Sequence, residues 1–248
     1  MDEYTSATYG DRIADIYDAR YADVLGGEPS ATVAFLREAT GSGPALELGI
    51  GTGRIALPLR AEGVNVHGID VSPAMVERLR AKPGGADVPV TMSDFRDFAL
   101  EERFGLVYVV FNTFFGLLTQ DDQVSCFLAI ARHLTDDGAF VMEAFVPDVT
   151  RYDGGQRVGA VRVETDEIEL EVSRHDPVAQ QTVTQHVVVR EDGVRLYPVR
   201  IRYAHVSELD LMARIAGLRL RHRFGDWDRS PFAVGSGKHV SVWEPAGP

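Results

Sequence analysis

Apolar and polar positions change their rhythm twice along this chain. Between residues 9 and 24, Ile13, Ile16, Tyr17, Arg20 and Tyr21 recur at helical spacing, which predicts one amphipathic helix. Gly26-Gly27 ends it, and Pro29 opens a second helix through Val33, Phe35 and Leu36. Short, nearly continuous apolar runs then alternate with helical patterns. Strands are predicted at Ala45–Leu48, Val64–Ile69, Val88–Met92, Leu106–Phe111 and Ala139–Phe145, with helices near Ile55–Ala61, Pro73–Arg80 and Asp121–Leu134. Strands separated by helices imply βαβ units, and strands apolar on both faces belong in a parallel sheet covered on both sides.

The second change follows Pro147. Gly154-Gly155 marks a loop, after which alternating stretches succeed one another without a helix between them. In Glu167-Ile168-Glu169-Leu170-Glu171-Val172 acidic residues hold one face and aliphatics the other. The acidic face is expected in solvent and the opposite face over the binding pocket. Thr182–Val189 and Leu196–Tyr203, joined by Asp192-Gly193, read as a hairpin. Residues 156–204 are therefore expected to form an antiparallel insertion. Helical spacing returns at Leu209, Leu211, Met212 and Ile215, closed by Gly217, and Leu218–Phe224 and His239–Trp243 supply two last strands. A single α/β domain is expected over 1–248. It comprises an N-terminal helical lid (1–43), a cofactor-binding core (44–146), the insertion, and a C-terminal helix with the last two strands (205–248).

Composition narrows the partners. A chain of 248 residues, 45% hydrophobic and 25% charged, is ordinary for one soluble α/β domain. Its net charge of −12 opposes contact with a phosphate backbone or an anionic membrane, so neither nucleic acid nor membrane is expected. No apolar run approaches the ~18 residues of a membrane span. The start, Met1-Asp2-Glu3-Tyr4, lacks the basic and apolar regions of a signal peptide. The one cysteine, Cys126, cannot form an internal disulfide, which suits a reducing cytoplasm. No His, Cys and Asp cluster has metal-ligand spacing, so no metal is expected.

Candidate chemistry concentrates in Glu47-Leu48-Gly49-Ile50-Gly51-Thr52-Gly53. Glycines at 49, 51 and 53 let the backbone pass close to a bound molecule. Asp70, ~20 positions after the first of them, can accept hydrogen bonds from a ribose. A dinucleotide fingerprint needs glycine at position 54, where this chain has Arg54. Glu47 would also repel a pyrophosphate, yet it suits a cationic amino group. A ligand with a ribose and a zwitterionic amino-acid tail, S-adenosylmethionine, fits better. On these residues the chain resembles the class I S-adenosylmethionine-dependent methyltransferases, whose first motif is E/D-x-G-x-G-x-G. Five parallel strands, an insertion, a helix and two final strands are similar to their Rossmann-like, seven-stranded, mostly parallel sheet.

The resemblance implies roles for further residues. Asp70 would bind both ribose hydroxyls, and Met75 would pack near the adenine. In Ser93-Asp94-Phe95, Asp94 would read the adenine amino group while Phe95 supplies a backbone contact; Asp97 competes for the first role. The end of strand four would place Phe111 beside the methionyl group, and Phe111, Phe114 and Phe115 suggest an apolar acceptor pocket. Ala14-Asp15-Ile16-Tyr17-Asp18-Ala19-Arg20-Tyr21 looks like the opening of small-molecule methyltransferases, aminosugar N-methyltransferases included, and implies that Tyr21 closes over the methionyl group. Neither D/N-P-P-Y/F nor a Pro-Cys nucleophile follows strand four.

Ser72 is expected to cap the helix that Pro73 opens, and His133 to serve a helix dipole. His67 falls on the wrong side of the site. Among His175, His186 and His205, in or beside the insertion, His186 is the candidate general base, and Tyr203 joins it as a candidate catalytic residue. Alignment and desolvation can also drive an in-line displacement from a sulfonium without a base. The segments Arg202–Ala213 and Ser236–Glu244 resemble actinobacterial enzymes, many of them serving specialised metabolism. The expected activity is methyl transfer to N, O or activated C of a small-molecule acceptor, in a cytoplasmic protein for which a homodimer is allowed. A methyltransferase-like cyclase and a non-catalytic cofactor-binding subunit are the competing classes.

Overall fold

The computed structural model describes residues 4–24, 29–41 and 43–247, with the side chains of residues 21–24 outside the description. Three helices open the chain: α1 (Thr8–Ile13), α2 (Tyr17–Val24) and α3 (Ser30–Thr40). An alternating series follows: β1 (Ala45–Leu48), α4 (Ala56–Ala61), β2 (Val66–Asp70), α5 (Pro73–Arg80), β3 (Val90–Met92), β4 (Phe104–Val109), α6 (Gln120–His133) and β5 (Leu134–Phe145). Four consecutive strands come next, β6 (Gln156–Val163), β7 (Glu167–Asp176), β8 (Gln181–Arg190) and β9 (Gly193–Arg202). Helix α7 (Val206–Ile215) and strands β10 (Leu218–Phe224) and β11 (Lys238–Pro245) close the chain.

The first five strands and the last two form one sheet in the order β10-β11-β5-β4-β1-β2-β3. Strands β1 to β5 pair in parallel, and β11 runs antiparallel between β5 and β10. Every residue of β1 is buried, as helices on both faces require. The core beneath α6 and α7 centres on Phe127, Phe140 and Trp243, with Phe140 stacked on Trp243 and Phe127 edge-on to both. Helix α5 starts where its sequence says it should. Pro73 occupies the first turn and the Ser72 hydroxyl accepts the Met75 N–H at 3.2 Å.

The four middle strands form a separate antiparallel sheet in the order β6-β7-β8-β9. Its outer strand β9 would leave an open edge; α1 packs along it, and Ile13 meets Tyr197 and Val188 in one small cluster.

Five expectations need correction. The helix expected over residues 9–24 is two helices, because the chain tightens at 14–16, where the Ile16 N–H donates to Ile13 O at 3.0 Å. The turn lets α1 follow α5 while α2 reaches the glycine loop. Strand β4 stops at Val109, since Phe111 and Asn112 have φ of 55° and 64° and leave the extended region. Phe114 and Phe115 belong to the core and do not line the pocket, their rings packed edge-on against Phe127 at 5.4 Å and Phe145 at 5.0 Å. The Leu100 N–H donates to His133 Nε2 at 2.9 Å while Nδ1 meets Ala129 O at 2.7 Å, so this ring links α6 to a loop and offers the helix end no charge.

The acidic face of β7 points inward. Glu169 is 3% exposed, Glu171 reaches the cavity, and the aliphatic face carrying Ile168 and Val172 is the outward one. Arginines decide this inversion. Glu167 pairs with Arg190, Glu169 with Arg20, and Glu171 with both Arg151 and Arg157. Buried carboxylates with such partners avoid the desolvation cost that would otherwise drive them to solvent. Among the described residues no helix is long and apolar enough to cross a membrane.

If Phe114 is core, Phe114→Ala should cost about 3–5 kcal/mol of stability in urea unfolding. An unchanged midpoint would return it to the pocket.

Candidate functional site

One cavity of about 850 Å³ opens at the C-terminal ends of β1, β2 and β4, beneath the antiparallel sheet and the N-terminal segment. Open parallel sheets bind ligands at this edge, and the volume is that of a small-molecule site.

The glycine loop forms its floor. Gly49, Gly51 and Gly53 have φ of 73°, 55° and 77°, a region that side chains resist. A Cβ on Gly49 would stand 2.4 Å from Thr113 Cγ2, and one on Gly53 would stand 2.3 Å from Leu79 Cδ1. On Gly51 it would meet nothing closer than Gly49 O at 3.9 Å, so it would project into open space where a ligand backbone can lie.

Asp70, at the end of β2, is held over this loop. The Gly51 N–H donates to Oδ2 at 2.7 Å and the Ser72 N–H to Oδ1 at 2.8 Å. Each oxygen retains a lone pair, so two vicinal hydroxyls can bridge the carboxylate. Burial raises the Asp70 carboxyl pKa, and the N–H groups of Ser72 and Gly51 oppose that rise.

Glu47 lies deeper, with the Tyr108 hydroxyl donating to its Oε2 at 2.9 Å. Burial pushes its carboxyl up to about 8 against the opposing hydrogen bond from Tyr108 and the charge of Arg54. The group is therefore largely neutral at pH 7 and ready to ionise beside a ligand cation. Met75, Asp94, Phe95 and Phe111 also reach the cavity. Asp94 Oδ1 accepts the Arg96 N–H at 2.9 Å, while its competitor Asp97 is exposed and paired with Arg132. The backbone of Tyr21 lies in α2, and its side chain lies outside the described residues. The cavity residues fit a ribose-bearing, cationic cofactor: a glycine cradle open at Gly51, a carboxylate aimed at a diol, and a second buried carboxylate.

Sequence reasoning missed the corner that follows β4. Two successive non-glycine residues, Phe111 and Asn112, are left-handed there, each at a cost of order 1–3 kcal/mol. The Phe111 N–H donates to Glu143 Oε2 at 3.0 Å, and the Phe145 N–H donates to Asn112 Oδ1 at 2.7 Å. Lys238 Nζ holds the other Glu143 oxygen at 3.2 Å. Asn112 directly after an apolar run was the available signal, since asparagine tolerates this conformation. Glu143, inside a strand, gave none.

The antiparallel sheet supplies the roof. Glu171, Thr182, Thr184 and His186 point into the cavity from β7 and β8, and Tyr152 and Tyr203 join them. Glu171 Oε1 accepts from both Arg151 and Arg157 at 2.9 Å. His186 Nδ1 lies 3.2 Å from Glu169 Oε1. Burial first, and then the charge of Arg20, hold the His186 pKa below its ordinary value, with Glu169 opposing. The Tyr203 hydroxyl meets His175 Nε2 at 2.9 Å. His186 stands opposite Tyr197, six residues before Tyr203, so the two candidate catalytic residues are about 20 Å apart along the strand.

Comparison with known proteins bears on this geometry. Residues 45–138 match the family model described as a methyltransferase domain. The CcbJ methyltransferase from Streptomyces caelestis superimposes with a TM-score of 0.92 at 41% identity, covering 98% of this chain and 100% of that one. The cypemycin N-terminal methyltransferase of a Streptomyces species is 28% identical over 200 residues, 80% of this chain and 82% of the relative. An amino pentose methyltransferase from Micromonospora echinaspora, solved with S-adenosylmethionine bound, gives a TM-score of 0.67 at 25% identity, with coverage of 92% and 96%.

Glu47 generates a prediction with a definite sign. Its carboxyl is about 8 in the ligand-free fold against 4.5 in an unstructured chain, so between those values the folded state holds a proton that the unfolded state has lost. Stability from this group therefore falls as pH rises from about 4.5 to about 8. Thermal melts without cofactor should find Glu47→Gln gaining on the wild type as pH rises to 9, while its affinity for S-adenosylmethionine drops. A parallel pH dependence of the two melting curves would contradict the assignment.

Proposed function

The chain belongs to the S-adenosylmethionine-dependent methyltransferases and acts on a small molecule, and from that premise we propose that the acceptor atom is an amine nitrogen and that His186 removes its proton. The observation that carries this reading is His186 itself. Its Nδ1 faces the buried Glu169, which leaves Nε2 as the atom for the cavity, and burial and Arg20 favour the neutral ring. An aliphatic amine resembles lysine, with a pKa of ~10.4, and so arrives at neutral pH as an ammonium without a lone pair. A neutral imidazole at the acceptor can take that proton.

When bound, S-adenosylmethionine supplies an electrophilic methyl on a sulfonium. The freed nitrogen lone pair forms the new N–C bond, the C–S pair returns to sulfur, and S-adenosylhomocysteine leaves. The protein aligns the two partners. Asp70 would hold the ribose and Glu47 the amino group, Met75, Asp94 and Phe95 would surround the adenine, Phe111 would lie toward the methionyl end, and the roof would exclude water; Tyr21, the other candidate for the methionyl end, has its side chain outside the described residues. Tyr203, about 20 Å along the strand from His186, positions the far part of the acceptor and takes no proton from the nitrogen.

Nitrogen is favoured over oxygen and carbon by the kinds of relatives the chain has. One is a cypemycin N-terminal methyltransferase and another an amino pentose methyltransferase. Thr182 and Thr184 supply hydroxyls, beside a Glu171 carboxylate already paired with Arg151 and Arg157, and this polar lining suits an amino sugar or a similarly polar amine from specialised metabolism.

With a panel of amino sugars and S-adenosylhomocysteine release as the readout, His186→Asn should lower kcat by ~10²-fold or more. Its affinity for S-adenosylmethionine should stay close to the wild type. Unchanged kcat, or a selective loss of cofactor affinity, would remove His186 from the role of base.

The homodimer is part of the same proposal. Val163, Ile168, Val189 and Val194 stand in register across all four strands of the roof, on the outward face, and are 37% to 68% exposed. This uncharged row, on a chain of net charge −12, lets a second copy approach where repulsion is least. Sedimentation velocity should find a dimer that Val194→Glu converts to monomer. A monomeric wild type at micromolar concentration would refute it.

A further inference from the structure

Two cationic-type donors reach one oxygen of a single buried carboxylate. Arg20 Nη2, from α2, and His186 Nδ1, from β8, both meet Oε1 of Glu169, which is 3% exposed. The Arg20 guanidinium also lies over the Tyr197 ring, 5.7 Å from its centroid. We propose that Glu169 is a positioning residue through which the docked N-terminal helix holds His186 as the neutral, Nε2-open imidazole. The proposal rests on His186 being the base.

Charge counting gives the reason. One carboxylate carries one negative charge, and Arg20 is always protonated. With α2 docked, Glu169 and Arg20 cancel, and an added imidazolium would leave an uncompensated positive charge in a site shielded from water. The imidazole therefore donates its Nδ1 proton to the carboxylate and presents a lone pair at Nε2. Without Arg20 the same carboxylate would draw a second proton onto His186, and the base would be lost. The charged and titratable groups facing His186 are Glu169 and Glu171 on β7, Arg20 on α2 and Tyr197 across from it on β9. Glu171 is already engaged by Arg151 and Arg157, which leaves Glu169 as the switchable partner.

The helix that carries Arg20 is anchored at the glycine loop. Asp18, two residues earlier, accepts from Thr52 Oγ1 at 2.6 Å and pairs with Lys82 Nζ at 2.6 Å, and Lys82 also donates to Thr52 O at 2.8 Å. Asp11, in the preceding helix α1, accepts from the Ser72 hydroxyl at 2.6 Å, beside Asp70. The glycine loop, α2, Glu169 and His186 thus form one connected series of polar contacts. Docking the helix over the loop and freeing the base become the same event.

The titration needs no acceptor; turnover of His186→Asn is read with the amino-sugar panel. With histidine isotope labels and His186 assigned by His186→Asn, the imidazole is titrated by NMR in the complex with S-adenosylhomocysteine. Arg20→Gln should move the His186 midpoint to higher pH, Arg20→Lys should return it toward wild type, and Glu169→Gln should move it to lower pH. An Arg20→Gln midpoint equal to wild type overturns the proposal, and so does a Glu169→Gln midpoint that rises. If Arg20→Gln cannot be folded, the direction of the Glu169→Gln shift decides alone. If the midpoints move as stated while His186→Asn keeps full turnover, His186 is not the base, and the positioning role falls with that reading although the coupling is real. If His186→Asn is inactive but the midpoints do not move, the base stands and Glu169 does not set it.

Discussion

Two backbone N–H groups, those of Gly51 and Ser72, close on the two oxygens of Asp70, and the rest of the site hangs on that arrangement. Hydrogen bonds to a charged acceptor contribute about 1.5–3 kcal/mol each, enough to offset much of the burial that raises this carboxyl. Through Gly51 the carboxylate sets the glycine loop in its left-handed path. Through Ser72 it orients the cap of α5, whose hydroxyl serves Met75 and Asp11 together. One side chain thus sets a loop, a helix start and the seat of the N-terminal segment.

That segment is held by polar latches at least as much as by apolar packing. Asp11, Asp15 and Asp18 face Ser72, Arg78, Thr52 and Lys82, and Arg20 reaches across to the roof. The pair of Asp15 with Arg78 is exposed and adds little; the contact of Arg20 with Glu169 is buried and cannot lose either partner cheaply. Contacts of this kind fix one geometry, which a sliding apolar contact would not.

Several features cost stability where function would use them. Phe111 and Asn112 sit in a strained corner, pinned by Glu143 and the backbone of Phe145. Glu47 is buried with a tyrosine hydroxyl in place of a cation. A ligand bearing a positive charge relieves the second cost, so binding energy and the instability of the empty site are two sides of one interaction. The dense aromatic core around Phe127 and Trp243 lies away from these positions and supports them.

What could be read from the sequence was local. The glycine spacing, Ser72 before Pro73 and the unbroken apolar runs each act over a few residues through φ, a missing Cβ or a helix cap, so the parallel core and the cavity floor were legible. Alternation in β7 likewise revealed two faces, yet not which one meets solvent. That was decided by Arg20, Arg151, Arg157 and Arg190, which are distant in the chain and arrive only on folding. The same holds for Phe114 and Phe115, for the ring of His133, and for the distance that separates His186 from Tyr203. A carboxylate or a ring carries no sign of its partner along the chain; desolvation and pairing energies exist only once the tertiary structure has brought the two together.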